Sequence, residues 1–475
     1  MKTIIFLSFL VLSTCKLYSQ SEVFMDYFIH DYFLKPEVVS DLDNMIKSIE
    51  EVHPNPYHSN SKESIYSLRD SIVSILPDTI SKNRVYLAFK LLSAAYGEGH
   101  TDVLLFITRN DLDKYQESFP LWVGSFNDAG FIVEANVFDT IDIKQGDIIT
   151  SINGVSESLI KKEIARYSGE SETYALNGAI GFLFPLWVEL LDIHAPFIIT
   201  YQRNDLQKTI RMESTTATKY YSFYSHLYPN RTQPFNFSII GNNIAYIEFT
   251  VFDYPKEFSR FLKKSFKSIK KNKCSGLIID IRDNGGGKED IGPMLIDYIH
   301  DKPYTVINAV DRKVSEYHKN LKKEVARIDK NKYMFIDTTS AYFQAPNGTI
   351  FGERDTSIIY PTNNNLRYKG KVCMLIGPKC FSYANSFAAE IKYNNIVELI
   401  GEPLEVNQDE YADISLFLLP ETKFKLMTST AYFLPIDQGN SEPVQPDIFV
   451  QQSIYDSQKG VDSIIECAKK WILKQ

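Results

Sequence analysis

The chain has 475 residues, of which 44% are hydrophobic and 23% are charged, as expected for a globular protein of about two to four domains. Its formal net charge of −8 at pH 7 disfavours nucleic acid as a partner. Four cysteines follow the first twenty residues, and they show neither the density of a disulfide scaffold nor the paired spacing of a zinc site: Cys274, Cys373, Cys380 and Cys467.

Residues 1–20 have the pattern of a secretory signal peptide. Lys2 precedes an apolar run from Ile4 to Leu12, and small or polar residues continue to Ser19 and Gln20, near which we expect cleavage. The apolar run is too short to span a membrane stably, and no other segment is long and apolar enough. The residues before Cys15 match a lipoprotein box poorly. The sequence therefore predicts an exported, soluble protein, either periplasmic or secreted, without a lipid anchor at Cys15.

Residues 21–116 are predicted to form an N-terminal helical domain. Apolar residues recur with helical spacing from Val38 to Val52, from Lys62 to Leu76 and from Lys82 to Tyr96. The two glycines that follow end the last helix and free the backbone around His100. On spacing alone, a histidine at a helix end is more often a surface residue than a catalytic one.

Residues 117–213 have the pattern of a small β domain. Strands are predicted from Gly130 to Val137 and from Asp147 to Ile152. The segment 143–155 resembles the Gly-Asp-hydrophobic to Asn-Gly signature of PDZ domains in exported proteases, which bind a peptide as an added strand. An ordinary hairpin is the alternative. The apolar stretch from Tyr174 to Leu191 predicts an inserted helix that covers the peptide groove or faces the next domain.

Residues 235–475 are predicted to form an α/β domain with a glycine-rich loop. A fully apolar run beginning at Leu277 predicts a buried strand, which leads through Asp280 into the glycines 285–287. Bare backbone N–H groups in such a loop can bind a phosphate or the oxyanion of a tetrahedral intermediate. The spacing matches neither a P-loop nor a dinucleotide site. An ordinary tight turn is equally compatible with the glycines alone.

A second turn in this domain joins a strand to a helix at a serine. The predicted strand from Lys371 to Ile376 enters a Gly-Pro turn, and a helix begins at Ser382. A helix N-terminus favours developing negative charge, although serine is also a common N-cap there. The two turns together offer the two parts of an acyl-transfer site, a nucleophile and an oxyanion hole. A polar insert, residues 302–370, lies between these two turns in the chain, and the sequence does not predict its structure.

With these motifs, the chain resembles the serine peptidase family of C-terminal processing (tail-specific) proteases and the tricorn core, in its exported bacterial tricorn-like branch. The resemblance rests on the run 280–287, the Cys380-Phe381-Ser382 turn, the motif 444–448 and Gly99-His100-Thr101. It implies an α/β multidomain protein with a crotonase-like (ClpP/crotonase) catalytic domain, an N-terminal helical block and a PDZ-like β domain. It also implies that the substrate is a peptide or an unfolded protein.

The family uses two catalytic arrangements, and this chain resembles one of them. The Ser/Lys branch has a lysine just past a Gly-Glu pair, but no lysine follows Gly401-Glu402 closely. Lys392 is ten residues beyond Ser382 on the same predicted helix, which at ~1.5 Å per residue is too far. In the tricorn-like branch, a histidine at the end of the helical block accepts the serine proton. The resemblance therefore implies Ser382 as nucleophile and His100 as general base.

The resemblance also assigns supporting residues. It implies that the backbone N–H groups of Gly286 and Tyr383 form the oxyanion hole, with Asp280, Arg282 and Asn284 holding the glycine loop. No metal or organic cofactor is required for this chemistry.

The carboxylate that orients the histidine is the point where the chain departs from the family. Glu442 is displaced by two positions from the usual glutamate, and Asp437 is a rival. Asn385 stands where the family usually has glutamate. These departures leave two alternatives to an endopeptidase open: a catalytically impaired peptide-binding pseudoenzyme, or an esterase or amidase that uses the same site. The oligomeric state is not predicted.

Overall fold

The computed structural model describes residues 30–104, 117–138, 142–204, 206–227, 233–306, 309–320, 340–354, 358–437, 439–453, 456 and 459–474. The predicted signal peptide, residues 1–20, lies outside the described residues. Within the described ranges, no helix combines the length and the apolar character needed to cross a membrane.

The N-terminal block contains the three predicted helices. They are α1 (Lys35–Val52), α2 (Lys62–Ile75) and α3 (Lys82–Ala94). A two-stranded antiparallel sheet of β1 (Tyr32–Leu34) and β2 (Thr79–Ser81) accompanies them. Gly97 adopts a φ of +71° after α3, and the chain then turns through His100 into β3 (Asp102–Leu104). The helical periodicity of the sequence was therefore a correct guide to this block.

The middle domain, residues 117–213, contains an antiparallel sheet in the order β4-β5-β6-β8-β9, with β7 beside β6. Its strands are β4 (Leu121–Asn127), β5 (Gly130–Asn136), β6 (Ile148–Ile152), β7 (Val155–Ser156), β8 (Phe197–Arg203) and β9 (Leu206–Met212). The turn between β6 and β7 has positive φ at both Asn153 (50°) and Gly154 (80°), which is the geometry of a tight hairpin turn.

Four helices accompany this sheet: α4 (Glu157–Ala165), α5 (Glu172–Ala179), α6 (Phe184–Leu190) and α7 (Ala217–Leu227). The apolar stretch from Tyr174 to Leu191 was predicted as one helix, but it forms α5 and α6. Gly181, with a φ of +68°, separates the two because a left-handed residue cannot continue an α-helix.

The main sheet of the α/β domain, residues 235–475, has the order β10-β11-β12-β17-β18-β21, with β10 antiparallel and the other strands parallel. Its strands are β10 (Phe235–Ile240), β11 (Ile244–Phe249), β12 (Gly276–Asp280), β17 (Val372–Ile376), β18 (Glu398–Gly401) and β21 (Ile448–Phe449). Every residue of β12 and β17 is buried, as expected of central parallel strands. Because these two strands are neighbours, the glycine loop and the Ser382 turn leave the same edge of the sheet.

Among the described residues of this domain, the helices with defined bounds are α8 (Pro255–Asn272), α9 (Gly292–Ile296), α10 (Ala341–Gln344), α11 (Tyr383–Tyr393) and α12 (Ser463–Leu473). One core lies between the main sheet and α8, α9 and α11, and a smaller one lies under α12. The described residues of the helical block and of the middle domain share a single further core.

A second, antiparallel sheet has the order β15-β14-β20-β19. Its strands are β14 (Ala309–Lys313), β15 (Ile350–Arg354), β19 (Glu410–Leu418) and β20 (Lys425–Phe433). The insert 302–370 thus supplies two of these strands, as well as the short pair β13 (Tyr304–Thr305) and β16 (Ile358–Ile359). Strand β3 of the helical block pairs with β20, which brings His100 to the α/β domain.

Candidate active site

Ser382 occupies the turn between β17 and α11 in an unusual backbone conformation. Its φ of 54° and ψ of −132° lie in a region that residues other than glycine rarely adopt. Although it stands at the N-cap position, its side chain makes no capping hydrogen bond. A strained serine between a strand and a helix is typical of an exposed nucleophile. The geometry therefore favours the catalytic interpretation of Ser382 over the capping one.

The glycine loop packs directly against the Ser382 turn. Gly286 has a φ of +96°, and a Cβ atom there would lie 2.7 Å from the Phe381 carbonyl oxygen and 2.8 Å from the Ser382 Cβ. Phe381 N–H donates a hydrogen bond of 3.2 Å to the Asn284 carbonyl oxygen. Only glycine fits between the two turns, so the triple-glycine motif is explained by this close approach.

Asn284 fixes the glycine loop from inside. Its fully buried side chain donates from Nδ2 to the Phe249 carbonyl oxygen at 3.0 Å, and its Oδ1 accepts the Gly286 N–H at 2.8 Å. The Gly286 N–H, predicted as an oxyanion donor, is therefore already occupied.

Gly287 is the residue of the glycine loop whose backbone N–H can be directed toward the cavity. Phe252 N–H donates to the Gly286 carbonyl at 2.8 Å, and Lys288 N–H donates to the Phe252 carbonyl at 2.7 Å. In a parallel bridge of this kind, the N–H and C=O groups of the residue between the two bonded positions, here Gly287, are directed away from the partner strand. The Gly287 N–H consequently points away from Phe252, and Gly287 lines the same cavity as Ser382.

Asp280 and Arg282 hold the end of β12 rather than the loop itself. Arg282 Nη2 lies 2.6 Å from Asp280 Oδ2 and 2.8 Å from Asp462 Oδ2. Tyr246 donates its hydroxyl to Asp280 Oδ2 at 2.7 Å. Asp462 also caps α12 by accepting N–H groups from its first turn. These bonds connect the strand that carries the glycine loop to the last helix of the chain.

His100 and Ser382 line one cavity of about 200 Å³, although some 280 residues separate them in sequence. His100 is buried, and its ring stacks on Phe381 with 4.5 Å between ring centroids. Its Nε2 has no hydrogen-bond partner in the part of the chain that the structure describes. The pair predicted from the family resemblance is thus brought to one site, with Nε2 available.

The environment keeps the His100 imidazole neutral. Burial lowers its pKa, while the Glu98 charge, a hydrogen bond with the Tyr411 backbone and the Asp413 charge raise it by less. The pKa therefore lies below the ordinary histidine value. A neutral imidazole is the form that can accept a proton.

Glu98 supports the backbone of His100. It accepts the His100 backbone N–H on Oε2 and the Ser429 hydroxyl on Oε1 at 3.0 Å. His53 Nε2 lies 3.6 Å from Glu98 Oε1. Burial raises the pKa of Glu98, but the contacts with His53, His100 and Thr101 lower it overall. Glu98 is therefore an ionised anchor for the turn that carries the base.

The structure does not bring Glu442 to His100. Glu442 is exposed, its N–H donates to Asn440 Oδ1 at 3.0 Å, and its carbonyl accepts from Gln408 Nε2 at 2.9 Å. The rival Asp437 is also exposed. Neither lines the cavity, so the predicted role of Glu442 as the acid that orients His100 has no structural support. The ring is held instead by a backbone group of Tyr411.

Lys392 also lies away from the cavity. Its Nζ donates to the Gln445 carbonyl at 2.7 Å and pairs with Asp447 at 2.8 Å near the end of α11. This position agrees with the sequence argument against a Ser/Lys dyad.

Glu410 lines the cavity and was missed in the sequence. Its side chain is buried, Oε1 accepts the Ser386 hydroxyl at 3.2 Å, and Oε2 has no partner among the described residues. Burial raises the pKa of Glu410 to about 8, with further contributions from the Glu170, Glu98 and Glu289 charges. A glutamate at the start of a strand carries no signal in sequence that distinguishes it from a surface residue.

Comparison with known proteins places this geometry in a family. Residues 243–450, which include the glycine loop, Ser382 and Glu410 but not His100, match the model of peptidase family S41. The chain therefore contains a peptidase family S41 domain over these residues. This domain supports a serine-type peptidase, and hence a hydrolase. No curated protein matches the sequence.

The solved structures of CPAF share the mixed α/β multidomain fold of this chain. Mature CPAF is 13% identical, with a TM-score of 0.64 over 92% of this chain and 96% of that one. Mature CPAF complexed with lactacystin is 12% identical, with a TM-score of 0.63 over 92% and 98%. The tricorn protease is 14% identical, with a TM-score of 0.42 over 92% of this chain and 37% of that one. At such identities the likeness to CPAF establishes the fold alone.

Proposed function

We propose that the chain is an exported serine endopeptidase in which Ser382 attacks the peptide carbonyl and His100 accepts its proton. The observation that carries this proposal is the shared cavity, which Ser382, His100 and Gly287 line together. Nucleophile, base and oxyanion donor are the parts that acyl transfer requires. The predicted signal peptide supports action outside the cytoplasm, in the periplasm or beyond the cell.

In the first step, neutral His100 takes the Ser382 hydroxyl proton on Nε2 as Oγ forms the bond to the substrate carbonyl carbon. The imidazolium then gives this proton to the leaving amine. In the second half of the reaction His100 takes a proton from water, which attacks the acyl carbon, and returns that proton to Ser382 Oγ as the acyl group leaves. Stacking on Phe381 and the hydrogen bond with the Tyr411 backbone fix the ring plane. Burial stabilises the neutral form between steps.

We assign the oxyanion hole to the N–H groups of Gly287 and Tyr383, which replaces the predicted pair of Gly286 and Tyr383. Tyr383 is the first residue of α11, so its N–H has no acceptor within the helix. Both residues line the cavity beside Ser382, whereas the Gly286 N–H is bonded to Asn284. The helix dipole adds favourable potential at the same place.

We also propose that the catalytic domain is crotonase-like and that the middle domain is PDZ-like and presents the peptide. The middle domain reaches the catalytic turns: Glu170 accepts the Gly99 N–H at 2.7 Å, and the Tyr174 ring lies 5.0 Å from Phe381. A second cavity, of about 540 Å³, is lined by Tyr174, Phe381 and Gly285, among others. Peptide binding there would contribute affinity remote from the scissile bond.

Substitution of the nucleophile tests this function. Ser382→Ala should lower hydrolysis of a fluorogenic peptide by at least about a thousandfold while the circular dichroism spectrum stays unchanged. A fluorophosphonate should label wild type at Ser382 and leave the variant unlabelled. Labelling at Ser386 would move the nucleophile one turn along α11. An unlabelled wild type that still binds peptides would identify a pseudoenzyme, and turnover of esters but not of peptides would identify an esterase.

A further inference from the structure

The cavity that contains Ser382 and His100 also contains a second pair of side chains, Ser386 and Glu410. Ser386 is four residues after Ser382 on α11, and its N–H donates to the Ser382 carbonyl at 3.2 Å. Residues at this spacing project from the same face of a helix, about 6 Å apart. Because the Ser386 hydroxyl bonds Glu410 Oε1 at 3.2 Å, the carboxyl lies within one helical turn of the nucleophile.

Glu410 lines the cavity, and one of its carboxyl oxygens has no partner among the described residues. Only 7% of the residue is exposed, Oε1 is bonded to Ser386, and Oε2 has no hydrogen-bond partner among the described residues. Buried polar atoms are nearly always satisfied, so an unsatisfied one that lines an active-site cavity indicates a partner that arrives with the ligand. His100 Nε2, unpaired in the same cavity, has this property as well.

The charged surroundings favour the neutral form of Glu410. Six titratable or charged residues surround it. Glu98 and His100 lie in the turn after α3, Glu170 in the loop after α4 and Glu289 after the glycine loop. Arg312 lies on β14 and Asp413 on β19. Three of the carboxylates repel a negative charge at Glu410, and Asp413 pairs with the only cation of this set, Arg312. Burial is the largest cause and acts in the same direction, the hydrogen bond from Ser386 opposes it, and the pKa of Glu410 rises to about 8.

The contact with Ser386 leaves Oε2 as the oxygen that can carry the proton. When the Ser386 hydroxyl donates to Oε1, that oxygen is the carbonyl of the neutral acid and the hydrogen is on Oε2. In this arrangement the oxygen without a partner is a hydrogen-bond donor.

We propose that Glu410 acts as a neutral acid that donates a hydrogen bond from Oε2 to a backbone carbonyl oxygen of the peptide bound in the cavity. This proposal rests on the proposed peptidase function, because a peptide is the ligand that offers carbonyl acceptors at every residue. A donor of this kind holds the main chain and is indifferent to sequence. An ionised carboxylate at the same place would instead select a basic side chain of the substrate.

Two substitutions separate these roles. Glu410→Gln keeps the shape, stays neutral at every pH and still offers an N–H donor, whereas Glu410→Leu keeps the volume without any donor. The exposed Glu442→Gln is the matched control for a change of charge. Binding of a neutral fluorescent peptide is measured in the Ser382→Ala background between pH 6 and pH 9.5, so that no turnover interferes.

The proposal requires that peptide affinity of the Ser382→Ala protein falls by about fivefold to tenfold above pH 8, as expected for one lost hydrogen bond. Glu410→Gln should bind nearly as well as its parent at pH 7 and lose this decline. Glu410→Leu should be weaker at pH 7 by a similar factor and also independent of pH, while Glu442→Gln should follow its parent.

Two outcomes would overturn the role of Glu410. One is a Glu410→Gln protein as weak as Glu410→Leu at pH 7. The other is a parent that prefers lysine-containing peptides and loses this preference in Glu410→Gln, which would show an ionised carboxylate. Fluorophosphonate labelling of the Ser382-containing wild type tests the peptidase function separately. An unlabelled protein with the expected pH-dependent binding would contradict the peptidase and leave the donor role standing.

Discussion

Glu410 should make the stability of this protein depend on pH in a way that one substitution removes. Its pKa rises from an ordinary 4.5 to about 8 in the folded chain. A difference of roughly 3.5 units, at about 1.36 kcal/mol per unit, gives an upper limit of about 4 to 5 kcal/mol. Because the folded pKa is the higher one, the contribution is fully present below pH 4.5 and is lost as pH rises to about 8.

The free energy of unfolding of Glu410→Gln relative to wild type should therefore increase with pH. The glutamine side chain has no ionisation, so the variant lacks the loss that wild type suffers between pH 4.5 and pH 8. Urea titrations at pH 5 and pH 8.5, followed by tryptophan fluorescence, measure this difference. Glu170, with a pKa raised to about 7 by burial, remains in both proteins and cancels in the comparison.

Glu442→Gln serves as the control. Because the Glu442 side chain is exposed to solvent, we expect its substitution to change the free energy of unfolding by a small and equal amount at both pH values. The reasoning would be refuted by a difference between Glu410→Gln and wild type that is the same at pH 5 and pH 8.5. Such a result would mean that Glu410 is ionised in the folded protein.

Three further predictions concern catalysis. Since the pKa of His100 lies below the ordinary histidine value, kcat/KM should rise with pH along one ionisation below about pH 6.5 and be constant at neutral pH. His100→Ala should lower peptide turnover by orders of magnitude at pH 7. Gly287→Ala should abolish activity and lower Tm, because its Cβ would lie 2.2 Å from the Phe252 carbonyl oxygen, whereas Gly241→Ala meets open space and should change neither quantity. Lys392→Ala should leave turnover within about twofold of wild type, and a large loss would contradict the His100 mechanism.

The parts of the site that the sequence predicted are those carried by local pattern. A buried run followed by three glycines predicted β12 and its loop, and the Gly-Pro turn before Ser382 predicted the start of α11. Each of these motifs depends on neighbours in the chain. His100 was assigned through the family resemblance alone, since no spacing rule connects it with Ser382.

What the sequence missed depends on contacts between distant segments. Glu410 is buried at the start of β19, where it meets Ser386 of α11, and no residue near it in sequence shows this contact. The oxyanion assignment shifted from Gly286 to Gly287 because the Asn284 side chain occupies one N–H, a matter of side-chain direction. Strands β14 and β15 escaped prediction because a polar, partly exposed sheet lacks the apolar run by which β12 and β17 were recognised.

The pairing of β3 with β20 has a consequence for timing during synthesis. Met427, Leu426 and Lys425 align with residues 102–104, and the Thr101 and Thr428 hydroxyls hydrogen-bond at 2.9 Å beside them. His100 cannot reach its working position until the ribosome has passed β20, because the strand that fixes its turn does not exist earlier. In a nascent chain, His100 and Ser382 therefore cannot take up their positions in one cavity before β20 has emerged and folded.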